Sequence, residues 1–298
     1  MLKNNGKSNA SFHIIALIIV TIWGSTLVST KVLLLNGMRP DEIFFARCVI
    51  AYVAMLAIFH KKLWADNWRD ELLMVVLGVT GGSLYFIAEN VALIYTYANN
   101  VSFIVSVSPL VTVFLAYFFV KGMKLNKLLV VGSLIAVVGV GIVIFNGQMV
   151  LKLNPLGDIL AMLSTFCFGL YSLLLKILGK RYDSSFLTRK MFFYGLVTTL
   201  PLFVFKPWEF PLEGFLKLPV LGNTLFLGLI ASFFCFAMWS VTIKRLGAVT
   251  ASNYNYLSPI ATIFISAMFL NEQMTWIAWI GCGLILVGVF LANRHNTY

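Results

Sequence analysis

A single acidic residue, Glu89, lies well inside a long apolar run. A charged carboxylate in such surroundings is costly unless it reaches water or a partner. A buried carboxyl group can take up and release a proton, or it can hold the ammonium group of a ligand. A structural hydrogen bond to Tyr85, to Asn90 or to a neighbouring helix is the alternative, and both interpretations are open at this level.

Other polar and aromatic residues within apolar runs are candidate neighbours of Glu89, because a buried phenol, indole, hydroxyl or amide needs a partner. We predict that they bound a central polar cavity near mid-depth that binds a small solute. For the serines, close packing of helices is the alternative. The predicted set is Trp23, Tyr85, Ser102, Ser106, Tyr171, Trp239, Asn253 and Tyr256.

Two prolines, Pro109 and Pro259, each follow a serine inside an apolar run. Proline removes one helical hydrogen bond and clashes with the preceding turn, so each should kink its helix. A kink near mid-depth frees carbonyl groups to face a cavity. We therefore predict that both prolines are hinges beside the binding site.

Metal, cofactor and catalytic sites are not indicated. No histidine or cysteine has a second one at ligand spacing, and no nucleotide-binding glycine loop is present. The apolar runs also lack a pair of titratable groups that could divide acid and base roles. We expect a protein without a cofactor or metal, not an enzyme, whose work is driven by gradients.

The elements that carry these residues are set by composition. Apolar residues make up 60% of the 298-residue chain and charged residues 11%, so there is too little polar surface for a soluble domain. The mean hydropathy is +0.92. Continuous apolar runs predict an all-α membrane protein with ten transmembrane helices. The runs cover residues 14–35, 42–60, 71–94, 97–120, 127–145, 155–178, 186–206, 220–243, 248–270 and 274–293.

The second half of the chain repeats the first. Identical residues coincide at an offset of 150 in the third and fourth spans, and at smaller offsets elsewhere. Because each copy holds five spans, the copies must be inverted relative to each other, which is typical of membrane transporters. The predicted repeats are residues 1–150 and 151–298. Matching pairs include Gly78/Gly228, Phe86/Phe236, Ser108/Ser258, Arg39/Arg181, Arg47/Arg189, Gly24/Gly169, Gly132/Gly281 and Gly139/Gly288.

The net charge of +11 comes from basic residues beside the spans. If the N-terminus is cytoplasmic, fourteen basic residues lie on the inside and four on the outside. The positive-inside rule then places both termini in the cytoplasm of a multi-pass protein of the cytoplasmic membrane. Arg47 and Arg189 lie near the starts of spans, where Asp41 and Asp183 are candidate partners.

The chain resembles the EamA family of the drug/metabolite transporter superfamily. The resemblance rests on Trp23-Gly24-Ser25, on Pro40 with Arg47, and on a stretch of the second repeat that runs from Ser258-Pro259 through Leu270-Asn271-Glu272 to Trp279, Gly281 and Gly288-Val289. Two features depart from the family pattern. Lys121-Gly122 stands where the second repeat has Asn271-Glu272, and Glu89 occupies a usually apolar position.

The resemblance implies a five-plus-five inverted arrangement, a central cavity, and alternating-access transport of amino acids or other small polar metabolites. Efflux is the expected direction, with the bilayer and a coupling proton as further partners. A flippase for a lipid-linked substrate on the same scaffold is the alternative. Glycines spaced by seven residues indicate close helix packing, which would also suit a homodimer. The sequence does not name the solute.

Overall fold

The computed structural model describes residues 6–60, 62–95, 98–120, 126–145, 154–261, 264 and 276–294, and these residues form helices without any β-strand. In the first half, a π-helical segment, Val79–Ser83, joins α3 to α4. The helices of this half are α1 (Gly6–Leu35), α2 (Pro40–Ile58), α3 (Trp68–Gly78), α4 (Leu84–Tyr95), α5 (Ala98–Ser106), α6 (Ser108–Phe119) and α7 (Lys127–Phe145).

In the second half, a longer π-helical segment, Phe226–Phe234, joins α10 to α11, and 3-10 segments cover Leu212–Leu216 and Asn253–Leu257. Both π-helical segments lie in the span that the repeat places third in its half. The described helices of this half are α8 (Pro155–Leu178), α9 (Ser184–Phe205), α10 (Leu218–Leu225), α11 (Cys235–Leu246), α12 (Ala248–Ser252) and α13 (Trp276–Asn293).

Five helical segments are long and apolar enough to cross a membrane. They correspond to the first, third, fifth, sixth and eighth predicted spans, and they confirm an all-helical protein with several apolar spans. The second and seventh predicted spans form α2 and α9, which carry charged residues in their first halves. The ninth predicted span is described from residue 248 to residue 261 and at residue 264. The five segments are Ala10–Leu35, Trp68–Ala92, Lys127–Ile144, Pro155–Leu178 and Leu218–Leu246.

Glycines bring α7 and α13 into direct backbone contact. A Cβ added at Gly132 would lie 2.6 Å from the carbonyl oxygen of Gly288, and one added at Gly139 would lie 2.8 Å from that of Gly281. In the sequence repeat, Gly132 matches Gly281 and Gly139 matches Gly288, but in the structure each glycine contacts the match of the other. The two equivalent helices therefore run antiparallel. The glycine stripe expected to pack closely does so within one chain, so it does not need a homodimer partner.

The two halves are interleaved rather than side by side. The third span packs on α9 of the other half, and the eighth span packs on α2. Two matching glycines allow this approach: a Cβ on Gly78 would lie 2.4 Å from Cβ of Tyr194, and one on Gly228 would lie 2.7 Å from Cβ of Ile50. In the same way, α4 packs on α8 and α11 packs on α1. The centre of the bundle is thus built from both repeats.

Candidate functional site

Aromatic side chains from both repeats meet at the centre of the bundle. Trp23 and Trp239 have ring centroids 5.0 Å apart, and Phe168 lies 5.7 Å from Tyr85 and 5.8 Å from Tyr171. These separations are typical of aromatic pairs in contact. We call this group the aromatic cluster, and its members are Trp23, Tyr85, Phe86, Phe168, Tyr171, Phe236 and Trp239.

Four members of the aromatic cluster were predicted from the sequence, and three phenylalanines were missed. Phe86 and Phe236 are repeat-equivalent, and their centroids lie 6.3 Å apart. Trp23 and Phe168 are also equivalent, at an offset of 145, and lie 6.2 Å apart. Equivalent residues touch each other only near the axis that relates the repeats. The coincidence of Phe86 with Phe236 in the alignment was the signal that could have identified them.

Two polar atoms in the aromatic cluster have no hydrogen-bond partner among the described residues. They are the hydroxyl of Tyr171 and the indole Nε1 of Trp239, and both side chains are 0% exposed. A buried polar group left unpaired costs about 1–3 kcal/mol. The rings pack against one another, so this part of the site is closed to solvent in the described conformation. A polar ligand that entered here could accept hydrogen bonds from the Tyr171 hydroxyl and the Trp239 indole.

The π-helical segments support the rings on either side. Nε1 of Trp23 donates to the carbonyl oxygen of Ala231, in the second π-helical segment, at 3.1 Å. Gly81 is the equivalent residue of the first segment, and a Cβ there would lie 2.2 Å from the ring of Tyr171. π-helical turns are frequent at functional sites because they displace the backbone from the regular ladder. Here they shape the walls of the aromatic cluster.

Glu89 lies on α4, one turn beyond Tyr85, and is partly buried. Its carboxylate accepts a hydrogen bond from the hydroxyl of Tyr85 at 3.2 Å. Asn90, the other suggested partner, donates instead to the carbonyl oxygen of Pro40 at 3.5 Å. The structural alternative for Glu89 therefore has a concrete partner, but one hydroxyl satisfies only part of the capacity of a carboxylate.

Arg47 was treated from sequence as a residue near the start of a span, and the structure buries it to 6% exposure. Its Nε donates to Oγ of Ser232 at 2.8 Å, and its guanidinium lies 4.5 Å from the ring centroid of Phe86. The suggested partner was wrong: Asp41 instead binds Arg39. Among the described residues, no carboxylate forms an ion pair with Arg47, although Glu89 is only three positions along α4 from Phe86, whose ring lies beneath Arg47.

The remaining predicted residues lie in several settings. Asn253 is buried, and its Nδ2 donates to Oδ1 of Asn293 at 2.8 Å, so it joins the start of the ninth span to α13. Tyr256 is fully buried in the same apolar core as the aromatic cluster. Ser106 is buried at the end of α5. The side chain of Ser102 lies outside the described part of the chain.

The two predicted hinges stand beside interruptions of regular helix. Helix α5 ends at Ser106 and α6 begins at Ser108, with Val107 between them at φ −80° and ψ −4°. Pro109 is therefore in the first turn of a new helix, where its missing N–H costs nothing. Pro259 lies two residues after the end of the 3-10 segment Asn253–Leu257. Both halves thus interrupt the helix at equivalent positions.

Comparison with known proteins identifies the family. The model of the EamA-like transporter family matches residues 10–145 and again residues 155–294. The chain belongs to the EamA-like transporter family. It is 28% identical to an uncharacterized transporter of Archaeoglobus fulgidus over 286 residues, which cover 95% of this chain and 99% of that one.

A second relative carries a more specific name. The chain is 26% identical over 280 residues to a probable terminal-alkyne amino-acid exporter of Streptantibioticus cattleyicolor, covering 93% of this chain and 91% of that one. A crystal structure of another protein superposes with a TM-score of 0.76 at 16% identity, covering 95% of this chain and 96% of that one. This structural likeness supports the fold.

One end of this EamA-like transporter is held by Arg39. Its guanidinium binds the carboxylates of Asp41 at 3.0 Å and Glu209 at 2.9 Å. It also donates to the carbonyl oxygens of Lys206 at 3.1 Å and Pro207 at 2.9 Å. The hydrogen bond to Asp41 raises the pKa of Arg39 above its ordinary value, which keeps the guanidinium charged. We call this side of the bundle the Arg39 end.

Glu42 completes the Arg39 end from the first turn of α2. Its side chain is 0% exposed. The carboxylate accepts from the backbone N–H groups of Glu209 at 2.7 Å and Phe210 at 3.0 Å, and from that of Arg39 at 2.9 Å. The contacts tie the loop between α1 and α2 to the segment that follows α9, so they join the two repeats.

The opposite side of the bundle, which we call the Asp70 end, is held by side chains of α3. Asp70 is buried and accepts from Nη1 of Arg181 at 2.7 Å and from the hydroxyl of Tyr182 at 2.8 Å. Burial raises the pKa of the Tyr182 phenol, so it remains a neutral donor. Next to Asp70, Glu71 binds the ammonium of Lys190 and the hydroxyl of Tyr194. These bonds also join the two repeats.

Proposed function

We propose that the protein is a secondary transporter that moves a small polar metabolite, such as an amino acid, across the cytoplasmic membrane by alternating access, with efflux as its direction. The observation that carries this proposal is the aromatic cluster, which both repeats build. Its unpaired donors on Tyr171 and Trp239 offer a solute hydrogen bonds at the centre of the bundle. The chain itself catalyses no reaction in this proposal.

The proposed architecture is ten spans in a five-plus-five inverted repeat, with residues 1–150 and 151–298 as the two units. The antiparallel contact of the equivalent helices α7 and α13 supports inversion. The positions of two matching arginines also support inversion. Arg39 lies at the Arg39 end, just before α2, whereas its equivalent Arg181 lies at the Asp70 end, where it binds Asp70. An inverted repeat provides two related conformations, each open to one side of the membrane.

The proposed orientation places the Asp70 end in the cytoplasm. Near the described N-terminus, the ring of Phe12 lies 5.6 Å from the guanidinium carbon of Arg245, at the end of α11. Lys244 donates to the carbonyl oxygen of Tyr182 at 3.4 Å, which places that end of α11 beside the Asp70 end. Basic residues are abundant in these segments, in agreement with the positive-inside rule.

The orientation is tested by labelling single cysteines from outside intact cells. The four native cysteines are buried, so their background labelling should be low. Cysteines replacing Lys152 and Lys217 should react with an impermeant maleimide, whereas those replacing Lys62 and Lys124 should react only after permeabilisation. The reverse pattern would contradict the orientation.

The transport function is tested with purified protein in liposomes loaded with a mixture of labelled amino acids and other small metabolites. Efflux and uptake are measured with and without an imposed pH gradient, which also tests proton coupling. Trp239→Phe removes the unpaired Nε1 but keeps an aromatic ring, and it should slow transport. Trp279→Phe is the matched control, because Trp279 is 56% exposed on α13.

The outcome of this assay decides between the candidate functions. Movement of a small solute that is slowed in Trp239→Phe and unchanged in Trp279→Phe supports the proposal. Failure of every solute to move, or movement of lipid-linked substrates alone, would reject it. The second of these results would favour a flippase.

A further inference from the structure

Arg47 is a buried cation whose hydrogen-bonding capacity is mostly unused. It is 6% exposed, and the bond from Nε to Ser232 is its only hydrogen bond to the described residues. The guanidinium carries five N–H donors in a fixed plane and stays charged at all physiological pH values. The terminal Nη1 and Nη2 groups are therefore available for a bidentate contact with an anion.

Among the described residues, no acidic side chain is paired with Arg47, so its charge is left for an anion from outside the chain. One face of the guanidinium is covered by the ring of Phe86 at 4.5 Å. Two acidic residues stand at the start of the same helix: Asp41 is engaged by Arg39, and Glu42 by the backbone N–H groups of Arg39, Glu209 and Phe210. A buried charge without a paired counter-ion is costly, and a planar guanidinium matches a carboxylate best. Arg47 therefore has the properties of a receptor for a carboxylate.

Glu89 is the complementary group on the neighbouring helix. Its partner Tyr85 precedes Phe86, the residue that underlies Arg47, and Phe86 and Glu89 are three positions apart, so the two charged groups lie beside the same face of α4. Among the described residues, the two groups do not form an ion pair with each other. A carboxylate with spare acceptor capacity binds an ammonium group well.

We propose that Arg47 and Glu89 bind the two charged groups of a zwitterionic α-amino acid, Arg47 the carboxylate and Glu89 the ammonium. This inference rests on the proposed transport function and names the class of its substrate. An α-amino acid carries both charges on one carbon, so it can bridge two opposite charges that do not touch each other. We call this pair the Arg47–Glu89 site.

The aromatic cluster adjoins the Arg47–Glu89 site and defines the preferred side chain. Phe86 lies 4.7 Å from Tyr85 and 6.3 Å from Phe236, so the ring beside Arg47 is continuous with the aromatic cluster. An apolar or aromatic substituent would be taken out of water there, whereas an additional charge would not be paired. The substrate class is therefore a neutral amino acid with an apolar or aromatic side chain.

The pair is present once in the chain despite the repeat. Trp239 stands at the position equivalent to Glu89, and Arg189, the equivalent of Arg47, donates to the carbonyl oxygen of Phe59 near the Asp70 end. The inverted halves therefore provide one two-charge site rather than two. We expect a single amino acid to bind per chain.

The test measures binding of L-phenylalanine and two analogues that each lack one charge. L-Phenylalaninamide has no carboxylate, and 3-phenylpropionate has no ammonium group. Wild-type protein in nanodiscs should bind phenylalanine at least tenfold more tightly than either analogue. Arg47→Lys should lose the preference over the amide, and Glu89→Gln should lose the preference over phenylpropionate. Arg69→Lys and Glu213→Gln, both at exposed positions, are the matched controls.

For each variant, the result is the ratio of its affinity for phenylalanine to its affinity for each analogue. This ratio does not depend on the amount of folded protein. If Arg47→Lys does not fold, the isosteric Glu89→Gln still decides: a preference over phenylpropionate equal to that of the wild type overturns the inference. The inference also fails if the wild type binds no neutral amino acid while it transports another solute. If the wild type transports nothing at all, the proposed function fails instead.

Discussion

The Arg39 end and the Asp70 end both tie one repeat to the other, but they do so with different groups. At the Arg39 end, charged side chains mainly bind the backbone of a connecting segment, as Glu42 binds the N–H groups of Glu209 and Phe210. At the Asp70 end, side chains on α3 bind side chains on or beside α9. Glu71 and Lys190 form an ion pair in which the Lys190 side chain is only 4% exposed.

This difference bears on which end opens. A connecting segment can follow a moving helix while it keeps its backbone hydrogen bonds, so the Arg39 end can adjust in small steps. Two helices joined by a buried ion pair resist separation, because breaking the pair leaves a charge in apolar surroundings. We infer that the Asp70 end is the more firmly closed of the two in the described conformation.

The largest effect is expected from Glu71→Ala. The ammonium of Lys190 then stays buried without a counter-charge, and breaking a buried pair in this way costs about 3–5 kcal/mol. The rings of Trp64 and Tyr194, 4.4 Å and 5.2 Å from Nζ, should keep the loss near the lower limit. Denaturant titration in micelles measures it. A loss no greater than that of Glu213→Ala, an exposed control, would contradict the comparison.

A smaller effect is expected from Glu42→Gln at the Arg39 end. The variant keeps the shape of the side chain but replaces charged hydrogen bonds to backbone N–H groups with neutral ones, for a loss of about 1–2 kcal/mol. Hydrogen exchange at residues 209 and 210 should become faster. Asp41→Asn is the control, and unchanged exchange in Glu42→Gln would show that the connecting segment is held by other contacts.

Tyr182→Phe removes the hydrogen bond that the hydroxyl donates to Asp70 and the one that it accepts from the backbone N–H of Asp66, and should cost about 1–2 kcal/mol. Because burial raises the pKa of this phenol from its ordinary value of 10.0, the folded state keeps the proton more tightly. The contribution is therefore constant below that pH and lost above it. Stability measured against pH should show this loss in the wild type but not in Tyr182→Phe. Tyr117→Phe, at an exposed position, is the control.

The smallest effect is expected from Glu209→Ala. The side chain is 72% exposed, and exposed ion pairs contribute about 0–1 kcal/mol. The difference from wild type should disappear in high salt, because mobile ions screen exposed charges. A loss as large as that of Glu71→Ala would remove the distinction between the two ends.

The sequence predicted the boundaries of several helices closely, because a change from apolar to polar residues marks where a chain leaves the bilayer. The run 127–145 coincides with α7, and 155–178 with α8. The interruptions were harder to place. The π-helical segments follow from how glycine and small residues accommodate a neighbouring helix, and hydropathy carries no signal of that.

Single-residue partners were the weakest predictions. Asp41 and Arg47 are six positions apart on one helix, which does not bring two side chains onto the same face. The structure instead pairs Arg47 with Ser232, a residue 185 positions away. Phe168 was missed for a similar reason, since nothing in its own segment distinguishes a ring at the centre from one that faces lipid.

The sequence by itself determined the all-helical membrane class, the repeat and the residue types available at the centre. The length of each apolar run and the similarity of the two halves can be read directly from the order of residues. Tertiary structure alone decided which of them meet. The crossed packing of α2 on the eighth span brings Arg47 to Ser232, and that of α9 on the third span brings Tyr194 to Gly78. The periodicity of a sequence can show that one face of a helix is buried. Only the packing of the helices decides which residues that face contacts.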